Sequence, residues 1–196
     1  TLKVEVTEPL PVVASGLDSS ATTCHDGSDG WAVVEPSGGI SPYAYWWDDE
    51  LNQTSDTAIN LSSRLYFVAV IDSNGCSDTT TIKVEQPDSI SPNESITNIS
   101  CAGLCDGGIS LDVTGGTEGS GYSHSWNIAS TDTFINSLCA DTYIDTITDG
   151  VGCKDTFFFV VTQPDTLRAL FSDTMDVVCS NSRNGQAIVT PEGGTP

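Results

Sequence analysis

Basic residues are nearly missing from this chain. Among 196 residues there are six Lys plus Arg (Lys3, Arg64, Lys83, Lys154, Arg168, Arg183) against 27 Asp plus Glu, a formal net charge of −21. Phosphate recognition needs Lys and Arg to displace counterions, so no nucleic-acid partner is expected. The same shortage argues against an anionic membrane surface. No apolar run approaches the roughly 20 residues of a bilayer span, so no membrane insertion is expected either. No charged-then-apolar leader opens the chain, and no ten-residue stretch carries the spacing of an amphipathic helix. Disorder is the other reading of strong acidity, but 38% hydrophobic residues, four Trp and seven Cys are too many for it. A folded, acidic protein remains.

What is present is a repeat. Cys24, Cys101 and Cys179 stand 77 and 78 residues apart. Asp29-Gly30, Asp106-Gly107 and Asn184-Gly185 keep the same step, as do Gly38-Gly39, Gly115-Gly116 and Gly193-Gly194. Gly75-Cys76 returns as Gly152-Cys153, and Glu8-Pro9, Gln86-Pro87 and Gln163-Pro164 hold the period again. The frame divides the chain into the end of one unit (1–9), two full units (10–87 and 88–164) and the start of a further one (165–196). Such a frame is expected of a window on a longer array.

Inside each unit the apolar period is that of strands. Trp31–Val34 and Ile109–Val113 precede the Gly-Gly turn, and Tyr43–Trp47 and Tyr122–Trp126 follow it with alternating aromatics. Tyr66–Ile71 and Tyr143–Thr148 come next, and Thr79–Glu85 and Thr156–Thr162 close the units. β-Branched and aromatic residues fill these runs, and Gly, Asn, Asp and Pro separate them. About seven short strands per unit predict an all-β fold of tandem immunoglobulin-like antiparallel β-sandwiches. Joined near Pro9, Pro87 and Pro164, they should form a slender rod.

These landmarks resemble the SprB repeat of large surface adhesins of gliding Bacteroidota. The likeness is carried by Cys24, Asp29-Gly30, Gly38-Gly39, Tyr43, Tyr45, Trp47, Tyr66, Asp72 to Cys76 and Gln86-Pro87. The second unit carries it on Cys101, Asp106-Gly107, Gly115-Gly116, Tyr122, Trp126, Tyr143, Asp149 to Cys153 and Gln163-Pro164. Three features depart from the pattern. His124 replaces the second Tyr, two extra residues follow the second Gly-Gly, and Arg64 and Asp141 replace a Gly before the strand Tyr. The resemblance implies a repeat segment of a long extracellular filamentous adhesin, structural and multivalent, serving attachment or gliding. Its partners would be neighbouring repeats, other fibre chains, and a surface polysaccharide or protein. The alternative is a stalk that carries a secreted hydrolase.

Extracellular placement favours disulfides. Cys24 to Cys76 and Cys101 to Cys153 both span 52 residues, which predicts one such bridge per unit. Cys105 and Cys139, which align with Ser28 and Ser62, should pair with each other and leave Cys179 unpaired.

No enzyme is expected. His25 and His124 fall at non-equivalent positions, whereas a repeated catalytic site would recur; a turn residue and a substituted strand aromatic are the better readings. No cofactor is expected. Asp72, Asn74 and Asp78 are the candidate calcium ligands, weighed against the simpler reading that Asp-x-x-Gly is a turn. Trp47 and Trp126 are candidate core residues, and Trp46 points the other way.

The last signal is statistical. Of 19 Asp residues, 11 precede Ser or Thr, where 47 Ser plus Thr in 196 residues predict about four to five. Six of these resemble the O-glycosylation signal of secreted Bacteroidota proteins and make Thr57, Thr79, Ser89, Thr146, Thr166 and Thr174 candidate glycan sites. Asn52, Asn60, Asn93 and Asn98 open weaker Asn-x-Ser/Thr signals. A turn-ending Asp before a strand-opening Thr is the competing explanation.

Overall fold

A computed structural model describes residues 2–117, 119, 121–180 and 183–195. All of its regular structure is β. The first sandwich uses β1 (Val13–Ser20), β2 (Gly30–Ser37), β3 (Ala44–Trp47), β4 (Thr57–Leu61), β5 (Arg64–Ile71) and β6 (Ser77–Val84). They form two antiparallel sheets, ordered β1-β2-β4 and β3-β5-β6. The second sandwich repeats the pattern with β7 (Ser91–Thr97), β8 (Gly107–Thr114), β9 (Ser123–Trp126), β10 (Phe134–Leu138), β11 (Asp141–Thr148) and β12 (Lys154–Val161). Its sheets run β10-β8-β7 and β12-β11-β9. Six strands, rather than about seven, make each copy. A third copy starts with the hairpin of β13 (Arg168–Met175) and β14 (Gln186–Glu192). By compactness the chain divides into residues 1–90 with 115–121 and 149–153, and residues 91–114, 122–148 and 154–196.

Alternation builds the core. In β5, Tyr66, Val68 and Val70 are buried while Leu65, Phe67 and Ile71 face out. Ala14, Ala32, Val34, Trp47, Ala58, Leu61, Ile82 and Val84 close around them from both sheets. Trp47 is fully buried, and its indole Nε1 donates to Ser55 O at 2.8 Å. Trp126 holds the equivalent place, donates to Asp132 O at 2.9 Å and packs on Phe159 with ring centroids 5.5 Å apart. Tyr66 and Tyr143 each donate to the carbonyl four residues back, Ser62 O and Cys139 O, both at 3.0 Å. Each phenol thereby pins the bend that leads into its strand.

The repeated Gly-Gly is dictated by close approach. Gly38, Gly115 and Gly193 all have positive φ, and a Cβ on Gly38 or Gly115 would stand 2.0 Å from Pro11 O or 1.9 Å from Ser89 O. Arg64 and Asp141, by contrast, open ordinary strands. The left-handed residues before them are Asn60 and Ser137, with φ of 56° and 57°, so the replaced Gly imposes no strain. The loop that carries the two-residue insertion after Gly115-Gly116 includes positions 118 and 120, outside the described residues, as are 181, 182 and 196 of the third copy.

One core feature of the second copy has no counterpart in the first. His124 occupies the position of Tyr45, and Asp145, 77 residues after Val68, occupies that of Val68. The two side chains are 2% and 0% exposed, with His124 Nδ1 2.6 Å from Asp145 Oδ2. The other carboxylate oxygen accepts from Ser125 N at 2.9 Å, and His124 Nε2 has no hydrogen-bond partner. The two replacements are complementary, and each makes sense only beside the other. Breaking a buried pair strands the surviving partner, whereas replacing both with apolar groups removes the desolvation cost. We therefore expect Asp145→Val alone to destabilise by about 3–5 kcal/mol. The double change His124→Tyr with Asp145→Val should be neutral or stabilising by up to about 4 kcal/mol. Denaturant unfolding of the three proteins checks this, and additive losses in the double variant would rule out coupling.

Candidate functional site

The chemistry of this chain concentrates in its cysteines and in the acidic turns that present them. Cys24 lies in the loop between β1 and β2, beside the end of β6: Thr22 N donates to Glu85 O at 3.0 Å, and Asp26 N donates to Gln86 Oε1 at 3.0 Å. Cys76 ends the turn that starts β6, at the other end of that strand. An eight-residue strand rises about 26 Å, whereas bridged Cα atoms must lie within about 7 Å. The expected Cys24–Cys76 bridge is therefore geometrically excluded. The same holds for Cys101–Cys153, which flank opposite ends of β12: Ile99 N donates to Thr162 O and Gly103 N to Gln163 Oε1.

Cys24 is bonded to Cys153 instead, with Cα atoms 5.6 Å apart and a sequence separation of 129. Both cysteines belong to the first compact unit, which takes in residues 149–153. The bridge thus joins the early cysteine of one copy to the late cysteine of the next. Cys153 Sγ lies 3.5 Å from Thr23 O, and Thr117 Oγ1 donates to the same carbonyl at 3.3 Å. Cys105 is bonded to Cys139, with Cα atoms 4.0 Å apart. Cys76, Cys101 and Cys179 are free and exposed.

Each late cysteine is held by an aspartate. Asp149 Oδ1 accepts from the N–H groups of Val151 (3.1 Å), Gly152 (3.0 Å) and Cys153 (2.9 Å), and Oδ2 from Thr117 N (2.8 Å). Asp72 accepts in the same way from Asn74 N, Cys76 N and Ile40 N at 2.8–3.0 Å. Asp78 turns to another place and accepts from Ala14 N at 2.9 Å. The candidate calcium ligands Asp72, Asn74 and Asp78 are thus not gathered around one point, and the oxygens of Asp72 face N–H donors. This is the geometry of an Asp-capped turn. No cluster of three metal-ligating side chains occurs among the described residues. Burial pushes the pKa of Asp72 and Asp149 up, but the backbone N–H groups outweigh it and hold both carboxyls below the ordinary aspartate value.

The SprB repeat model matches residues 19–52 and 93–131, the opening half of each sandwich. Both complete copies therefore contain a segment similar to the SprB repeat. No curated protein matches the chain. Among solved structures, the N-terminal four immunoglobulin domains of Dscam1 isoform 9.44 align at 12% identity and a TM-score of 0.32. That alignment covers 82% of this chain and 47% of the other, so the chain spans about half of that structure's length. At this score the likeness carries no argument.

The sandwich framework also accounts for the remaining candidates. His124 is sealed in the core, and His25 places Nδ1 3.0 Å from Pro87 O at a loop. Trp46 is 48% exposed, with its neighbour Trp47 buried. Of the six glycan candidates, Thr79, Ser89, Thr166 and Thr174 are exposed, and Thr57 and Thr146 are half-buried. Part of the Asp-Ser/Thr excess has a structural cause. Asp18, Asp141, Asp155 and Asp173 each accept from the N–H of the Ser or Thr that follows, at 2.7–2.8 Å.

Two outcomes follow from these turns and bridges. Because the folded pKa of Asp72 and Asp149 lies below the unfolded one, their contribution is complete above the unfolded value of about 4 and is lost as pH falls through the folded value. Asp72→Asn with Asp149→Asn should lower the melting temperature by a constant amount from pH 7 to 5, with the gap closing below about pH 4. A gap unchanged at pH 2 would refute the turn assignment. Separately, Ser28 and Ser62 line one cavity at the place where the next copy has Cys105–Cys139. Ser28→Cys with Ser62→Cys should form a bridge under oxidation and stabilise by about 3–4 kcal/mol for a loop of this length. Failure to oxidise in the folded protein would show that the two copies differ at this bend.

Proposed function

We propose that this chain is a segment of a long extracellular repeat array that acts as a fibre or adhesin in surface attachment or gliding. The observation that carries the reading is serial. One six-stranded sandwich is built twice and begun a third time, on a repeat characteristic of cell-surface proteins. SprB repeats and immunoglobulin-like sandwiches are structural repeat types rather than enzymatic ones, and no helix among the described residues is long and apolar enough to cross a membrane. Two disulfides suit an oxidising location. Function would come from number: weak contacts repeated along one chain gain strength through high effective concentration. A net charge of −21 would hold neighbouring fibres apart. O-linked glycans on exposed Thr79, Ser89, Thr166 or Thr174 would add protection from proteases.

The test is made on intact producing cells. Antibody raised against the repeats should label them without permeabilisation, external protease should remove the label, and deletion of the gene should reduce surface attachment. Label confined to lysed cells would overturn the proposal. The intact mass of the native protein should exceed that of the bare disulfide-bonded sequence, and equality would remove the glycan component.

A further inference from the structure

We propose that Cys101 is one half of a second covalent joint of the same kind as Cys24–Cys153, its partner being the cysteine of an Asp-x-x-Gly-Cys turn in a complete repeat that follows. The inference deepens the array reading and rests on it. Cys24 and Cys101 are equivalent in sequence and sit in loops built alike. Thr23 N donates to Asp29 Oδ1 at 2.9 Å, and Ser100 N donates to Asp106 Oδ1 at 3.1 Å. Gln86 Oε1 receives Asp26 N, and Gln163 Oε1 receives Gly103 N.

The neighbouring wall repeats as well. Gly116 N donates to Asp88 O, and Gly194 N donates to Asp165 O, both at 2.8 Å, so the third Gly-Gly loop is anchored like the second. At Cys24, this Gly-Gly-Thr loop supplies Thr117 to Thr23 O, and the turn Asp149–Cys153 completes the joint. At Cys101, the cysteine loop and the third Gly-Gly-Thr loop line an open cavity of about 380 Å3 whose lining includes Ser100, Cys101, Ala102, Leu167, Gly194 and Thr195. The thiol of Cys101 is free and exposed beside it. A turn whose Asp holds its own cysteine, as Asp72 holds Cys76 and Asp149 holds Cys153, fits this place. By the same equivalence, Cys76 is the turn half of a joint with a preceding repeat.

The bond forms by thiol–disulfide exchange. The two protein thiols give up two protons and two electrons, and a small-molecule disulfide such as oxidised glutathione takes them up and leaves as two thiols.

The experiment supplies the missing partner. The full 196-residue chain is extended after its last residue by a copy of residues 42–87, which completes the third sandwich and adds one cysteine, the copy of Cys76. It is oxidised in glutathione buffer, then mapped by unreduced peptide mass spectrometry. The expected result links Cys101 to the added cysteine and leaves Cys24–Cys153 intact. A link from the added cysteine to Cys179, or a free Cys101 in a chain that has formed Cys24–Cys153, overturns the proposal. Neither outcome bears on whether the natural protein continues into further repeats, which the sequence of its full gene decides. Should the extended chain fail to fold, the unextended protein is treated with a peptide of residues 70–78 carrying Cys76 as a thionitrobenzoate mixed disulfide. Cys101 should take up the peptide at least several-fold faster than Cys76 or Cys179, with release of thionitrobenzoate, and equal rates would overturn the proposal.

Discussion

A strand of eight residues is about 26 Å long, and that length governs the covalent structure of this chain. Each sandwich is one strand high, with its early cysteine loop at one end and its Asp-x-x-Gly-Cys turn at the other. Two cysteines so placed cannot meet inside one copy. Equal spacing suggests equal bridges within equal units, but the bridge that forms, Cys24–Cys153, runs from one copy to the next. Cys105 and Cys139 obey the same rule from the other side. The first lies just before β8 and the second between β10 and β11, at one end of the sandwich, and they bond directly.

Much of this was legible in the residues. The two-residue alternation of Tyr66 to Val70 and of the aromatics around Trp47 identifies buried faces, because a strand must turn successive side chains to opposite sides. The Gly-Gly pairs identify turns that admit no Cβ. What alternation cannot report is strand order. Equal spacing points to the wrong bridge because spacing along the chain says nothing of which end of a strand a loop occupies until the strands are paired. The short strands β4 and β10 are hidden in the sequence for a related reason. Five residues interrupted by a left-handed Asn60 or Ser137 lose the regular period that makes a strand visible.

The His124–Asp145 pair shows a different limit. His124 departs openly from the aromatic pattern, but Asp145 is hidden among many acidic residues. The signal that could have exposed it is the comparison of the two copies position by position. An Asp facing inward where Val68 stands is costly unless another group answers it, and His124 is a second inward departure in the same copy. Repeats provide an internal control of this kind, since each copy states what the fold alone requires and the other shows what has been added to it.

Acidity, finally, is part of the architecture rather than only its coating. With six Lys plus Arg for 27 carboxylates, ion pairs cannot satisfy the aspartates. Arg64–Asp48 and Lys83–Glu85 are the Arg or Lys pairs among the described residues. Backbone N–H groups do the rest. Asp29, Asp72, Asp78, Asp106 and Asp149 all accept backbone hydrogen bonds, and in each the pKa is lowered. The distinction has consequences for a chain of small sandwiches. Exposed ion pairs are weakened by dissolved salt, whereas an N–H held at 2.8–3.1 Å by the loop's own path is short-range and fixed in place. The same carboxylate that adds to the net negative charge shapes the turn that presents the cysteine. A repeat can therefore be strongly acidic and still hold its turns, because the groups that answer its charge belong to the backbone and recur in both complete copies.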